Sequence, residues 1–292
     1  MNPRPEQRQL IERLLPVLMR IQARLDEEWP LAALAREAEI SPTHFHRLFR
    51  QLTAETPKQF CQRLRLERSA FRLLLSRKPI LEIALECGFN HHETFTRAFS
   101  KHFGCSPSAY RRARLAERPT EGSGALTVDE MPSDYEVSAT KIDELNDLTV
   151  AFIRHLGPYE QVDARTWDRL VDWAANRDWP EPPLLLGIAQ DAPGITPPEK
   201  MRFDSALRAP EPFAAEGEIG CQVVAGGLYG VTTHIGHFST LEQAYRLAFE
   251  RLSGMRRYRV LGLPSVEIYQ STRISPDYEL NQTDICIPLT LR

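Results

Sequence analysis

Apolar residues recur every three to four positions through most of the first 116 residues, which is the periodicity of amphipathic helices. Two stripes are especially regular, and the second lies on a long helix that is predicted to begin at Pro57. The stripes consist of Leu10, Leu14, Leu18, Ile21 and Leu25, then Phe60, Leu64, Phe71 and Leu75. The pattern predicts an all-α N-terminal domain.

The same region contains two similar segments, residues 34–60 and 83–110. Each segment predicts a short helix, a tight turn and a second helix with one apolar and one polar side. Ser41 and Asn90 are predicted to cap the second helices, and Pro42 takes the first helical position. Identical residues recur 50 positions apart, at Phe45 and Phe95, Arg47 and Arg97, and Phe49 and Phe99. We therefore expect two helix-turn-helix units joined by one long helix.

Farther along the chain the pattern changes to short stretches in which apolar and polar residues alternate, as in β-strands. Residues 148–155 and 283–289 predict strands, and residues 160–176 and 239–252 predict helices. The stretch "HLGPYEQVDARTW", which begins at His155, resembles "HIGHFSTLEQAY", which begins at His234. A strand, glycine turn and helix used twice predicts an α+β C-terminal domain with a pseudo-two-fold repeat.

The boundary between the two regions is marked by composition. The stretch "ERPTEGSGA", residues 117–125, groups Pro, Gly and Ser without periodicity and predicts a linker between domains 1–116 and 126–292. The formal net charge is −3, but residues 1–118 contain 21 Lys and Arg against 13 Asp and Glu. The remaining residues contain 15 against 26. A basic domain joined to an acidic one favours contact of the first with a polyanion.

Other features exclude several classes of protein. No apolar run approaches 18 residues, and the N-terminal residues lack the apolar core of a signal peptide. The five cysteines are scattered and form no C-x-x-C pair. We therefore expect a cytoplasmic protein with reduced thiols, no membrane partner and no cofactor.

The adjacent residues His91, His92 and Glu93 have the chemistry of metal ligands but not the geometry. On a helix, consecutive side chains point about 100° apart, and Thr96 occupies the second histidine position of an H-E-x-x-H motif. We expect no metal site here. Two roles for Glu93 remain open: a capping box with Asn90, or acceptance of a hydrogen bond from a cytosine amino group.

The second segment, "ILEIALECGFNHHETFTRAFSKHFGCSPSAYRR", is similar to the signature of the AraC/XylS family of bacterial transcription regulators. Residues 31–115 resemble that family's DNA-binding module, and residues 126–292 resemble a GyrI-like effector-binding domain, the Rob-type arrangement. The marks of the second resemblance are "GGLYGVTTHIGHF", "SVEIYQ" and "TDICIPL". One departure is Glu39, which occupies a turn position where the family usually has glycine. A left-handed backbone there would cost about 1 kcal/mol.

Arginine pairs bidentately with guanine, so Arg47 and Arg97, in the middles of the second helices, are predicted to read bases. The resemblance implies base-facing positions on both helices: Thr43, His46 and Arg47, then His92, Glu93, Thr96 and Arg97. Further cations are predicted to contact phosphates: Arg50, Lys101, Arg111, Arg112 and Arg114. The expected partner is double-stranded DNA. The family resemblance favours an activator that contacts RNA polymerase, while a DNA-bending protein without regulatory output remains an alternative.

In "SVEIYQ", Val266 and Ile268 share one side of a predicted strand, and Glu267 and Tyr269 share the other. If the first pair packs on the helices, the second pair faces the opposite surface. The resemblance implies that Glu267 meets a cationic, lipophilic effector, although such domains can also contact proteins. Aromatic residues expected to line the crevice are Tyr159, Trp167, Phe203, Tyr229 and Tyr245.

A hydrolase that uses Glu267 with Tyr269 or Tyr229 is the alternative for this domain. We expect no enzyme, because the sequence has no nucleophile elbow, phosphate-binding loop or metal-ligand spacing.

Overall fold

The computed structural model describes residues 5–116, 135–177, 179, 182–271 and 281–292. The chain divides into two compact units, Met1–Ser123 and Gly124–Arg292. The predicted linker, residues 117–125, lies outside the described residues. Each unit is described by itself below.

The described part of the first unit is helical, as predicted. Its helices are α1 (Pro5–Ala23), α2 (Leu31–Glu37), α3 (Pro42–Thr53), α4 (Pro57–Leu75), α5 (Ile80–Glu86), α6 (His92–Phe103) and α7 (Pro107–Ala116). Helices α2 and α3 form one helix-turn-helix unit, α5 and α6 form the other, and α4 joins them and packs against α3, α5, α6 and α7. The duplication read from the sequence is confirmed.

Local sequence explains where these helices begin. The Ser41 Oγ accepts a hydrogen bond from the His44 amide at 3.4 Å, and Pro42 is the first residue of α3, both as predicted. Helix α4 begins with a capping box in which Thr56 and Gln59 bond each other's backbone amides, at 3.2 and 2.9 Å.

The predicted cap of α6 by Asn90 is wrong. Helix α6 begins at His92, His91 is its N-cap, and no side chain caps it. The reason is the extra residue in the second turn, which places His91, not Asn90, 50 positions after Ser41. The capping box with Asn90, one of the two roles left open for Glu93, is therefore not formed.

Each of the two turns contains a residue in the left-handed conformation, but the residue type differs. Glu39 has a φ of 56° and Gly88 a φ of 82°, so both residues are left-handed. A Cβ on Gly88 would lie 2.9 Å from the Leu25 carbonyl oxygen and 2.9 Å from the Asp26 Cα. The second turn therefore requires glycine for space as well as for conformation, whereas the exposed Glu39 bears only the conformational cost.

The second unit is an antiparallel sheet with two longer helices. The strands are β1 (Tyr135–Val137), β2 (Lys141–Leu145), β3 (Leu148–Leu156), β4 (Leu185–Ala189), β5 (Arg202–Arg208), β6 (Ile219–Val224), β7 (Gly227–Gly236), β8 (Tyr258–Val260), β9 (Ser265–Tyr269) and β10 (Asn281–Leu291). The helices are α8 (Arg165–Ala174) and α9 (Leu241–Gly254). The strand order is β1-β7-β10-β9-β4-β5-β3-β6, with β2 paired to β7 and β8 to β10.

This order divides the sheet into two equivalent halves that meet where β9 pairs with β4. In each half a long strand (β3 or β7) ends near a glycine, continues through a short 3-10 turn and leads into α8 or α9. The predicted pseudo-two-fold repeat is confirmed. At the junction of the halves, Glu267 of β9 is the register partner of Gly187 of β4.

Both helices cover the same side of the sheet. Trp167 and Leu170 of α8 pack with Tyr269 and Phe203, and a Cβ on Gly230 of β7 would lie 2.5 Å from the Leu252 side chain of α9. We call this the helix-facing side. Glu267 and Tyr269 lie on it, so the condition under which they would face the opposite surface, that Val266 and Ile268 pack on the helices, is not met. Alternation shows which residues share a side but not which side the helices cover.

Candidate functional sites

Helices α3 and α6 bury one side and expose the other. The rings of Phe45 and Phe49 are fully buried, and Phe49 meets Phe60 of α4 edge-on with 5.4 Å between ring centroids. The corresponding rings of Phe95 and Phe99 are also fully buried. Because these aromatic residues anchor one face of each helix, the polar residues must point outward.

The residues of α3 and α6 predicted to contact bases and phosphates lie on these outer faces. The exposed ones are Thr43, Arg47 and Arg50 on α3, and His92, Glu93, Arg97 and Lys101 on α6. His46 and Thr96 are half-buried. The predicted phosphate contacts Arg111, Arg112 and Arg114 belong to α7 instead, and Arg111 donates a hydrogen bond to the Lys78 carbonyl oxygen at 2.7 Å. Within the described part of the chain, neither Arg47 nor Arg97 forms an ion pair, so both guanidinium groups are available to an anion or a base edge.

A residue that the sequence did not single out fastens two distant segments to α4. The Arg65 guanidinium, on α4, donates hydrogen bonds to the carbonyl oxygens of Leu25 at 2.5 Å, Glu27 at 2.6 Å and Gly88 at 2.9 Å. The first two carbonyls belong to the segment after α1, and the third belongs to the turn of the second unit. We call this arrangement the Arg65 clamp. Its acceptors are backbone atoms far away in sequence, so no residue pattern reveals it.

In the second unit, Glu267 lies in an aromatic cluster and is only 5% exposed. Its Oε2 accepts a hydrogen bond from the Tyr269 hydroxyl at 2.7 Å, and its Oε1 accepts one from the Tyr245 hydroxyl at 3.0 Å. Burial raises the pKa of Glu267, and the two tyrosine hydrogen bonds offset part of that increase. No lysine or arginine forms an ion pair with Glu267 within the residues that the structure describes.

Three of the other predicted aromatic residues belong to the same cluster. The Trp167 ring lies edge-on to Tyr269 with 5.5 Å between centroids, and to Phe203 at 6.2 Å. Tyr159 meets Phe203 at 5.6 Å. Phe238, which the sequence reading missed, packs edge-on to Tyr269 at 5.8 Å. The repeat offered a signal for it, because Phe238 occupies in "HIGHF" the position of Tyr159 in "HLGPY".

Tyr229 is not part of this cluster. Its neighbour Gly230 lies beneath Leu252 of α9, so the Tyr229 side chain is on the opposite side of the sheet from Glu267. Its hydroxyl donates a hydrogen bond to the Ala225 carbonyl oxygen at 2.6 Å. The expectation that Tyr229 lines the crevice with Glu267 therefore does not match its position.

Gly187, also missed from the sequence, makes the cluster possible. A Cβ at this position would lie 2.5 Å from the Phe203 ring, 2.5 Å from the Tyr269 hydroxyl and 3.2 Å from the Glu267 Oε2. Only glycine leaves room for these three side chains on the neighbouring strand positions.

The described residues contain no group of three or more His, Cys, Asp and Glu side chains arranged to hold a metal ion. Among the same residues, no helix has the length and apolar character needed to span a membrane.

Two family models match the chain. A helix-turn-helix domain matches residues 34–113, and a GyrI-like small molecule binding domain matches residues 138–290, more than half of the chain.

Among curated relatives, the transcriptional regulator Rob of Salmonella typhimurium is 36% identical over 118 residues, which are 39% of this chain and 41% of Rob. The Transposon Tn10 TetD protein of Escherichia coli is 39% identical over 101 residues, 35% of this chain and 73% of TetD. A crystal structure of the AdpA DNA-binding domain with target DNA is 33% identical and covers 37% of this chain and 96% of that domain, with a TM-score of 0.35. This chain thus matches less than half the length of Rob. The protein belongs to the AraC-type helix-turn-helix family and carries a GyrI-like small molecule binding domain.

Proposed function

We propose that the protein is a sequence-specific transcription regulator that binds double-stranded DNA through α3 and α6. The observation that carries this proposal is the duplication of an exposed arginine, Arg47 and Arg97, at the same place on two anchored helices. Successive major grooves on one side of DNA lie about 34 Å apart, so two such helices can read two boxes with one chain.

The outer faces of the two helices supply both kinds of DNA contact. Arg47 and Arg97 suit guanine, and Thr43, His46, His92 and Thr96 are further candidates to reach base edges. Arg50 and Lys101 suit phosphates, whose contribution weakens with salt and carries no sequence information. Because the capping box with Asn90 is absent, we favour the other role of Glu93, in which its carboxylate accepts a hydrogen bond from a cytosine amino group. A carboxylate in the first turn of α6 also interacts favourably with the helix dipole.

Selection of bound sequences from random DNA by the full chain tests this proposal. We expect two short boxes about one turn of DNA apart. Arg47→Ala and Arg97→Ala should each weaken specific binding by about 1–3 kcal/mol and relax base preference at one position. Lys101→Ala is the matched control, and it should weaken binding to all sequences alike. Equal losses on specific and random DNA for the arginine variants would make them phosphate contacts instead.

Activation is part of the same proposal. A regulator that is bound beside a promoter can contact RNA polymerase and so raise transcription. That contact uses a surface other than the DNA-binding residues. Transcription from a promoter carrying the selected boxes, with purified RNA polymerase, measures this directly. A fall in transcript would indicate a repressor, and no change would favour a DNA-bending role.

For the second unit, the proposed effector is a lipophilic cation bound through Glu267. The carboxyl is buried, lacks a cationic partner in the described part of the chain and is surrounded by aromatic rings, which attract cations through their faces. Because Glu267 is nearly inaccessible, binding requires a covering element such as α9, which carries Tyr245, to shift.

Calorimetry with tetraphenylphosphonium measures this binding on the full chain. Glu267→Gln keeps the shape and removes the charge, and we expect it to reduce affinity at least tenfold, since the paired buried charge is lost. Glu242→Gln, at an exposed position of α9, is the matched control. Unchanged affinity in Glu267→Gln would remove Glu267 from the site. Ester turnover that disappears with Glu267→Gln would favour the hydrolase alternative.

A further inference from the structure

A second polar site lies on the helix-facing side of the same sheet, beside Tyr269. His234 of β7 is the register partner of Thr283 of β10, and Thr283 is in turn the register partner of Tyr269 of β9. Directly opposed residues point to the same side of a sheet, so these three side chains form one row. His234 and Thr283 are both 0% exposed.

The hydrogen bonds around His234 assign its tautomer. The Thr240 hydroxyl donates its one hydrogen to the His237 carbonyl oxygen at 2.7 Å. The bond of 2.7 Å between Thr240 Oγ1 and His234 Nε2 must therefore have the ring nitrogen as donor. Burial lowers the pKa of His234 to about 4, so the ring is neutral at ordinary pH. Its Nδ1 is then a bare hydrogen-bond acceptor.

Each of these two neighbouring residues has a buried polar atom without a partner. The His234 Nδ1 and the Thr283 Oγ1 are buried and make no hydrogen bond within the residues that the structure describes. A buried polar atom without a hydrogen bond is costly, so proteins seldom keep one without a use for it.

The other half of the sheet shows that the fold does not require this polar pair. His155 occupies the equivalent place on β3, and its Nε2 donates a hydrogen bond to the Pro158 carbonyl oxygen at 3.1 Å. Its register partner on β5 is Phe203, an apolar residue, where the second half has Thr283. The polar pair is thus specific to one copy of the repeat and lies beside the cluster that contains Glu267.

We infer that His234 and Thr283 form a hydrogen-bonding subsite for an effector that carries a hydroxyl or amine hydrogen apart from its cationic centre. Neighbouring strands are about 4.8 Å apart, and Glu267 lies two residues, about 6.7 Å, along β9 from Tyr269, so the positions of Thr283 and His234 are about 8 and about 12 Å from that of Glu267. The His234 Nδ1 accepts a hydrogen bond from this group, and the Thr283 hydroxyl forms a second hydrogen bond with it. This inference rests on the proposed function, in which Glu267 binds the cation.

Two matched probes test the subsite on the full chain by calorimetry. Tetraphenylphosphonium has no hydrogen-bonding group, and (4-hydroxyphenyl)triphenylphosphonium adds one hydroxyl. We expect the hydroxyl probe to bind about five- to tenfold more tightly, as one added buried hydrogen bond gives. Thr283→Val keeps the side-chain shape, and it should reduce this preference to less than about twofold without changing the affinity for tetraphenylphosphonium.

The possible outcomes separate the two proposals. Equal affinity of the wild-type protein for both probes, or a preference that survives Thr283→Val, overturns the subsite and leaves the cation site standing. Binding of neither probe overturns the cation site and the subsite with it.

Thermal unfolding without any probe is an independent measurement. If the Thr283 hydroxyl has no partner in the free protein, Thr283→Val raises the melting temperature. A lower melting temperature would show that the hydroxyl is already bonded in the free protein, by a buried water for example, and would overturn the inference.

Discussion

Replacing Arg65 by lysine should separate the two helix-turn-helix units in function while leaving each of them folded. Lysine keeps the charge but cannot place three donors in a planar fork, so it cannot reach the carbonyl oxygens of Leu25, Glu27 and Gly88 together. The segment after α1 and the second turn would then no longer be fastened to α4 at one point.

The magnitude follows from the three contacts. A hydrogen bond from a charged donor contributes about 1.5–3 kcal/mol, and lysine can keep one of the three. Glu27 is exposed, so water can replace the bond to its carbonyl oxygen. We therefore expect Arg65→Lys to lower the free energy of unfolding of the first unit by about 1–3 kcal/mol. Hydrogen exchange should become faster in residues 24–30 and 86–92.

The functional assay compares DNA that carries both boxes with DNA that carries one. The clamp fastens the turn of the second unit to α4, which joins the two units, so its loss lowers the effective concentration of the second helix at its box. We expect about tenfold weaker binding to two-box DNA and little change on one-box DNA. Arg77→Lys, at an exposed position, is the control. Equal weakening on both DNAs, or unchanged hydrogen exchange around Gly88, would refute the role of the clamp.

Three further predictions concern single positions. Gly187→Ala should weaken tetraphenylphosphonium binding at least tenfold in calorimetry, because the added Cβ would lie 2.5 Å from the Tyr269 hydroxyl and displace it from Glu267. Unchanged affinity would contradict the close packing of Gly187 against Tyr269 and Glu267. Cation affinity should rise as pH rises through the raised pKa of Glu267, because only the ionised carboxyl pairs with a cation. Burial also raises the pKa values of the surrounding tyrosines, so they stay protonated over this range. Over the same pH range the free energy of unfolding of the ligand-free protein should fall, since a raised carboxyl pKa stabilises the fold only while the group is protonated; both trends should vanish in Glu267→Gln. Glu39→Gly should raise the free energy of unfolding by up to about 1 kcal/mol in urea denaturation, whereas Gly88→Ala should lower it by more, because its Cβ also meets the backbone.

Much of the fold could be predicted because its signals are local. The periods of apolar residues placed α4 and the strands β3 and β10, and the repeat of 50 positions gave both helix-turn-helix units. The left-handed backbone of Glu39 was indicated by the family resemblance, since that family usually has glycine at this turn position. Residue type misled once, since Asn90 is a favourable helix cap by composition, whereas the inserted residue places His91 at the cap position.

The sequence by itself determined which residues share a helix face or a strand side, because side-chain direction follows from backbone period alone. It thereby paired Glu267 with Tyr269 and aligned Arg47 with Arg97. Tertiary structure decided which side of β9 the helices cover, that Tyr229 lies on the opposite side, and that Gly187 lies beside Glu267 across the junction of the two halves. It also brought Arg65 to three distant carbonyl oxygens. These contacts join residues far apart in the chain. They depend on strand register and on the positions of backbone atoms, and the residue pattern of a single segment predicts neither of these.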